Sequence, residues 1–211
     1  MSATTGERRK PRQEVDVAAL HALTEELAAF LSEVSVGDLA SPTPVLGDLG
    51  DLYLHLTDQN LQVAEALMGR TIPHGERHAV KGRAALGRGA DPDGGCGLEA
   101  GYRQTARLVE RAFASPADGA NGYELTSLEG AGAVDLTTLY DIQVSRTVVH
   151  TWDIAQALGL PYRPSPSIVL RVLKTAVLAA PHVLHDGARP ADDADRFHCA
   201  LTLLGRRPSR P

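Results

Sequence analysis

The chain has 211 residues, with 21 basic and 26 acidic side chains and a formal net charge of −5. This length suits one domain with a full hydrophobic core, and the acidic balance argues against a nucleic-acid-binding surface. Two cysteines are too few for a disulfide framework, and no apolar run approaches the roughly 20 residues that span a bilayer. No apolar segment follows the charged N terminus, so we expect no secretory signal and a cytoplasmic protein without membrane contacts.

The N-terminal part predicts a short tail and two helices. Residues 1–13 offer no apolar residues to anchor them, so we expect a disordered tail. Leucines at helical spacing predict a first helix from about Glu14 to Val34 and a second from about Leu46 to Met68. The second helix carries His55, with Gln59 one turn later at the border between core and solvent. A lone histidine there is more often structural than functional unless another element supplies a partner.

A long connection separates the second helix from the third. Residues 69–97 contain His74 and His78, and connections of this length are usually functional lids or disordered. Glycine and proline around these histidines weaken a helical metal-binding interpretation, so we interpret both as loop histidines. The third helix is predicted over about Leu98 to Ala114, and a short strand is the most that residues 123–128 allow.

The C-terminal half predicts three further helices. Asp135 can cap a fourth helix from about Leu136 to Leu158, and Gly159 ends it. Two shorter helices follow, over about Ser167 to Ala180 and about Ala191 to Leu204. The pattern as a whole predicts an all-α protein, an up-and-down four-helix bundle with a C-terminal helical extension.

The end of the fourth helix carries the most informative residues. His150, the single tryptophan Trp152 and Asp153 lie together within an apolar helical pattern. His150 and Asp153 are three residues apart and share one face, so the carboxylate can orient the imidazole. A metal ligand or an acid–base histidine needs such a partner, because it determines which ring nitrogen carries the proton. The alternative interpretation is a structural pair beside a packed tryptophan.

Three segments together resemble a known family. They are Leu-Tyr-Leu-His-Leu at 52–56, His-Thr-Trp-Asp-Ile-Ala at 150–155 and Leu-Leu-Gly-Arg-Arg-Pro at 203–208. In this order and spacing they resemble the DinB-like metal-binding bundles, and more narrowly the actinobacterial branch of mycothiol-dependent maleylpyruvate isomerases. The resemblance covers roughly residues 14–208, which we expect to form a single helical domain.

The resemblance implies a divalent metal such as zinc, with His55 and His150 as two of its ligands. The third ligand of the family usually lies four residues before the second histidine, where this chain has Arg146. A guanidinium has no lone pair to donate and repels a nearby cation. Either Arg146 turns away and Asp153, Asp58 or a loop histidine completes the site, or the metal is lost and Arg146 binds a substrate carboxylate. Arg146 could also extend to solvent or pair with an aspartate of the second helix.

The function implied by the resemblance is thiol chemistry. A bound cation lowers the pKa of the thiol of mycothiol or another low-molecular-weight thiol. The thiolate then adds to an electrophilic carbon of a small, anionic substrate, as an isomerase or transferase does. His150, Asp153 and Arg146 are the predicted catalytic residues.

Other functions stay open at this point. In one, a metal-free isomerase, cyclase or lyase acts on a specialised metabolite, with His150 as the acid or base, Asp153 tuning it and Arg146 stabilising negative charge. In another, the chain is a non-catalytic protein that binds a small ligand. A homodimer is open as well. We expect Cys96 and Cys199 to be reduced and not to be the nucleophile.

Overall fold

The computed structural model describes residues 15–73, 83–86, 96–117, 122–124, 133–179 and 193–207. Its α-helices within those ranges are α1 Val17–Ser32, α2 Leu49–Met68, α3 Leu98–Ala114, α4 Leu136–Leu158, α5 Pro166–Ala179 and α6 Asp193–Leu203. The bounds of α3 and α4 are those predicted, whereas α1 and α2 begin three residues later than expected. The expected disordered tail lies outside the described residues.

Aspartate side chains begin three of the helices. Asp16, Asp48 and Asp135 each accept a hydrogen bond from a backbone N–H three residues later, at 2.7–3.0 Å. Each bond satisfies one of the N–H groups that a helix start leaves without an intrahelical partner. Gly69 and Gly159 end α2 and α4 in the left-handed conformation. The cap at Asp135 and the stop at Gly159 were both predicted and are confirmed.

The first four helices form a bundle, and the last two extend it. Helices α1 and α2 each pack against α3 and α4, so α1 and α2 occupy opposite corners. Helix α5 packs on α4, and α6 packs on α5. The prediction of an all-α bundle with a C-terminal helical extension is confirmed. Residues 123 and 134 pair as an isolated β-bridge, and no longer strand occurs in the described part of the chain.

The up-and-down order predicted for the four bundle helices does not hold at one step, where two consecutive helices run parallel. The backbone N–H of Ala117, just after α3, bonds to the carbonyl of Leu67 at the end of α2, so α2 and α3 run parallel. The backbone N–H of Cys96, just before α3, bonds to the carbonyl of Val34, just after α1. A parallel neighbour requires a connection that returns along the bundle, over about 30 Å for a helix of this length. The connection at 69–97, which joins α2 to α3, has enough residues for this return.

Two apolar clusters fill opposite ends of the bundle. The first cluster contains apolar side chains from the second half of α2 and from α4, such as Val148. The second contains apolar side chains from the first half of α2 and the second half of α1. Polar side chains of α2 and α4 lie where these two antiparallel helices face each other. None of the described helices combines the length and the apolar character needed to cross a membrane.

Candidate functional site

His55 of α2 and His150 of α4 meet inside the bundle. Their ring centroids are 5.6 Å apart, and the ring planes lie at 82° to each other. His150 is buried, whereas His55 is partly exposed and forms the outer side of the pair. The prediction that these two histidines face each other across the bundle is therefore confirmed, although 95 residues separate them in the sequence. Their catalytic or metal-binding roles stay predictions.

Asp153 fixes the orientation of His150. Its carboxylate oxygen Oδ2 lies 3.0 Å from Nδ1 of His150, and both side chains are buried. An ionised carboxylate only accepts hydrogen bonds, so Nδ1 of His150 carries the proton in this contact. The neutral imidazole then has its lone pair on Nε2. The contact predicted from the spacing of His150 and Asp153 is present.

Arg206 holds the same carboxylate from the other side. It follows α6 and is only 9% exposed. Its Nη2 donates to Oδ2 of Asp153 at 2.8 Å, and its Nε donates to Oδ1 at 3.3 Å. The remaining nitrogen, Nη1, donates to the carbonyl of Leu204 at 2.8 Å. Sequence reasoning assigned no role to Arg206, although it lies in one of the three segments that carried the family resemblance.

The electrostatics of the site favour two neutral imidazoles. Burial lowers the pKa of His55, and the nearby His150 and Arg146 lower it further. Burial also lowers the pKa of His150 below its usual value, although the hydrogen bond to Asp153 opposes this shift. Burial alone would raise the pKa of Asp153, but hydrogen bonds from His150 and Arg206 bring it below its usual value. At neutral pH the site therefore holds two uncharged histidines and a carboxylate anion.

Arg146 places a positive charge beside the histidine pair. It lies one turn before His150 on α4 and is partly buried. Its charge contributes to the lowered pKa of both His55 and His150. Burial lowers the pKa of its own guanidinium, but arginine in proteins stays protonated at neutral pH. The arrangement suits an anion that lies close to both imidazoles.

The described residues do not fit the predicted metal site. No group of three histidine, cysteine or carboxylate side chains able to hold a metal occurs among them. Asp153 is already bonded to His150 and Arg206, and Asp58 is exposed and accepts a hydrogen bond from Gln62 at 2.7 Å. Protein zinc sites use three or four such ligands, whereas here two imidazoles lie beside a guanidinium. The loop histidines 74 and 78 lie outside the described residues.

A network of buried amide side chains lies farther along α2 and α4 from the histidine pair. Gln143 lies seven residues before His150, on the same face of α4. Its Nε2 donates to Oδ1 of Asn60 at 3.0 Å, and Nδ2 of Asn60 donates to Oγ1 of Thr105 at 3.1 Å. Oε1 of Gln143 is buried and accepts no hydrogen bond from the described residues. Buried acceptors are normally satisfied, so this end of the site suits a polar rather than a purely apolar group.

Comparison with known families identifies the bundle. The family model for the mycothiol maleylpyruvate isomerase N-terminal domain matches residues 20–155. This chain belongs to that family. The matched segment includes His55, Arg146, His150 and Asp153, but it ends before Arg206. No match was found among curated proteins or among solved structures. The family resemblance inferred from the sequence is thus confirmed.

Both cysteines are free thiols. Cys96 is buried next to the start of α3, and burial raises the pKa of its thiol. A raised pKa disfavours the thiolate, which is the reactive form. Cys199 lies on α6 and is partly exposed. That neither cysteine is the nucleophile stays a prediction, and the arrangement at Cys96 agrees with it.

Proposed function

We propose that this protein is a thiol-dependent isomerase or S-transferase in which a histidine, rather than a metal ion, activates the thiol. The contact between His55 and His150 in the bundle interior is the observation that supports this most directly. Membership in a mycothiol isomerase family supports mycothiol or a related low-molecular-weight thiol as the cofactor. Arg146 supports a substrate that carries a carboxylate or develops negative charge during the reaction.

The first step is removal of the thiol proton. A free thiol has a pKa of about 8.5, so little thiolate is present at neutral pH without activation. Nε2 of neutral His150 accepts the proton, and Asp153 stabilises the imidazolium that forms. A nucleophile, a base and a group that orients the base form the usual arrangement of an activated nucleophile. His55 lies against His150 and orients the thiol, and Arg146 stabilises the thiolate.

The second step forms a carbon–sulfur bond. The thiolate attacks the β-carbon of an α,β-unsaturated carbonyl compound, and the electron pair of the double bond moves to the carbonyl oxygen. Arg146 stabilises this enolate charge. In an isomerase, the former double bond rotates as a single bond, the enolate re-forms the double bond and the thiolate leaves. In a transferase, the α-carbon takes the proton from His150, and a thioether remains.

Turnover of an unsaturated dicarboxylate with mycothiol tests this function. Chelator-treated protein should convert the substrate only when thiol is present, and His150→Ala should abolish conversion. His21→Ala is the matched control, because His21 is an exposed histidine of α1 that pairs with Glu110. Turnover that disappears with chelation and returns with zinc would contradict the proposal. Turnover without thiol would indicate the thiol-independent isomerase, cyclase or lyase, and binding without turnover would indicate a ligand-binding protein.

A further inference from the structure

Arg206 reaches the site from a turn after the last helix. At the end of α6 the N–H of Gly205 bonds to the carbonyl of Thr202, and the N–H of Arg206 bonds to the carbonyl of Leu201. These two bonds form a Schellman motif, which requires a left-handed residue after the helix. Gly205 supplies it, with φ of +82°. The turn directs the Arg206 side chain back towards α4, 53 residues earlier in the sequence.

The contact between Arg206 and Asp153 differs from a surface ion pair in its burial and in its two hydrogen bonds. Asp153 is 1% exposed, and it receives hydrogen bonds from two nitrogens of the Arg206 guanidinium. A second arginine–aspartate pair, Arg171 with Asp141, joins the extension to α4 at 2.8 Å. Both partners of that pair are more exposed, and Asp141 is about 18 Å along the helix from Asp153. Arg171 thus provides a comparison for an arginine that only ties α5 to α4.

We propose that Arg206 is a positioning residue, which holds the Asp153 carboxylate so that His150 keeps its proton on Nδ1 and its lone pair on Nε2. The family match ends at residue 155, so the C-terminal extension completes a site whose other members lie in the bundle. Without Arg206, Asp153 would be a buried carboxylate held only by His150, and it would rotate or take up a proton. Either change releases the constraint on the tautomer. The effect on catalysis rests on the proposed function, but the effect on the tautomer does not.

Nuclear magnetic resonance of the full chain tests this directly. Histidine labelled with ¹⁵N reports the tautomer of each neutral ring, and His150→Gln identifies the His150 signals. We expect the Nδ1–H tautomer at mildly alkaline pH in the natural protein and a mixture with Nε2–H in Arg206→Met. Arg171→Met, which removes the other arginine, should leave the His150 signals unchanged. A folded Arg206→Met protein that keeps the pure Nδ1–H form would overturn the proposal.

If Arg206→Met does not fold, the same tautomer measurement on Arg206→Lys tests the proposal. Lysine keeps the charge but cannot present two parallel donors to one carboxylate. We expect a partial shift of tautomer in this variant, and an unchanged tautomer in the folded variant would refute the positioning role.

Kinetics separate this inference from the proposed function. Groups that orient a metal-binding histidine typically contribute about 10- to 100-fold. We expect the same range here, so Arg206→Lys should lower kcat by that factor and leave KM unchanged. Arg171→Met should change neither. If no thiol-dependent turnover exists, the tautomer experiment still decides the role of Arg206. If turnover exists and Arg206→Lys raises KM alone, Arg206 binds substrate and the inference is wrong.

Discussion

Arg146 and His150 lie one turn apart on the same face of α4, and the charge of Arg146 helps to lower the pKa of His150. Side chains four residues apart on a helix can contact the same bound group. At the position from which a third metal ligand would join His150, this chain therefore has the positively charged Arg146. The site pairs neutral imidazoles with a guanidinium, which disfavours a second cation. An anion is the expected occupant.

Replacing Arg146 with Glu should create affinity for zinc. The substitution removes the repulsion and adds a carboxylate donor one turn from His150, so affinity should rise by orders of magnitude over that of the natural protein. Calorimetry with zinc measures both proteins, and Arg171→Glu on α5 controls for the change in net charge. Tight stoichiometric zinc in the natural protein, unchanged in Arg146→Glu, would mean that Arg146 does not influence the site.

The unfolding free energy should decrease as the pH falls below about 6.5, the usual pKa of histidine. The pKa values of His55 and His150 are lower in the folded protein, so the unfolded chain binds protons first on acidification. Stability from this source is complete above the usual pKa and is lost as the pH falls towards the folded values. Denaturant unfolding between pH 7 and 5 measures it. His150→Gln should show a shallower decrease than the natural protein, and equal slopes in the two proteins would contradict the lowered pKa of His150.

Arg83 and Gly50 should show strong energetic coupling. The Nη1 atom of Arg83 lies 1.0 Å from the position that a Cβ on Gly50 would take, and Arg83 also donates to the Leu39 carbonyl and to Asp48. Alanine in place of a glycine in a helix interior stabilises by about 1 kcal/mol, and we expect a smaller gain at Gly50, the second residue of α2. We expect that gain in an Arg83→Ala background and little or none in the natural protein, because Arg83 must move. A double-mutant cycle by denaturant unfolding measures the difference in unfolding free energy. Additive effects of the two substitutions would show that the Arg83 side chain does not pack against Gly50.

Substitution of Gly205 by Ala should affect the site as well as stability. A side chain at a left-handed position costs roughly 1–2 kcal/mol, and here the strain would displace Arg206. Gly69→Ala is a matched control, since Gly69 ends α2 with φ of +61° and lies in no segment that contacts Asp153. Thermal unfolding should show similar losses for both variants, whereas only Gly205→Ala should alter the His150 tautomer. If the His150 tautomer is unaltered in Gly205→Ala, the turn at Gly205 does not determine the position of Arg206.

The sequence predicted the features that local signals determine. Helix α4 was predicted to the residue because Asp135 caps it and Gly159 ends it, and the contact of His150 with Asp153 followed from their spacing. The proximity of His55 and His150 came from the family resemblance. Periodicity alone places His55 at the border between core and solvent and His150 within an apolar pattern, and it does not say which helices are neighbours.

The missed features depend on long-range packing. The parallel course of α2 and α3 depends on where the chain goes after residue 69, and no spacing signal encodes that path. The contact between Arg206 and Asp153 depends on how α6 packs on α5 and on the turn at Gly205. A sequence signal was present, a Gly-Arg pair after a helix, but it does not reveal the partner of the arginine.

The most direct test of the central claim is the ultraviolet absorbance of thiolate when mycothiol binds chelator-treated protein at neutral pH. Difference spectra against the protein alone remove the contribution of the two cysteines. We predict a thiolate band in the natural protein and in His21→Ala, and no band in His150→Ala. His150 takes the thiol proton in the complex because the thiolate charge and Asp153 together offset the burial that keeps its imidazole neutral in the free protein. A band that is missing from the chelator-treated protein and forms only when zinc is added would contradict activation by the histidine pair.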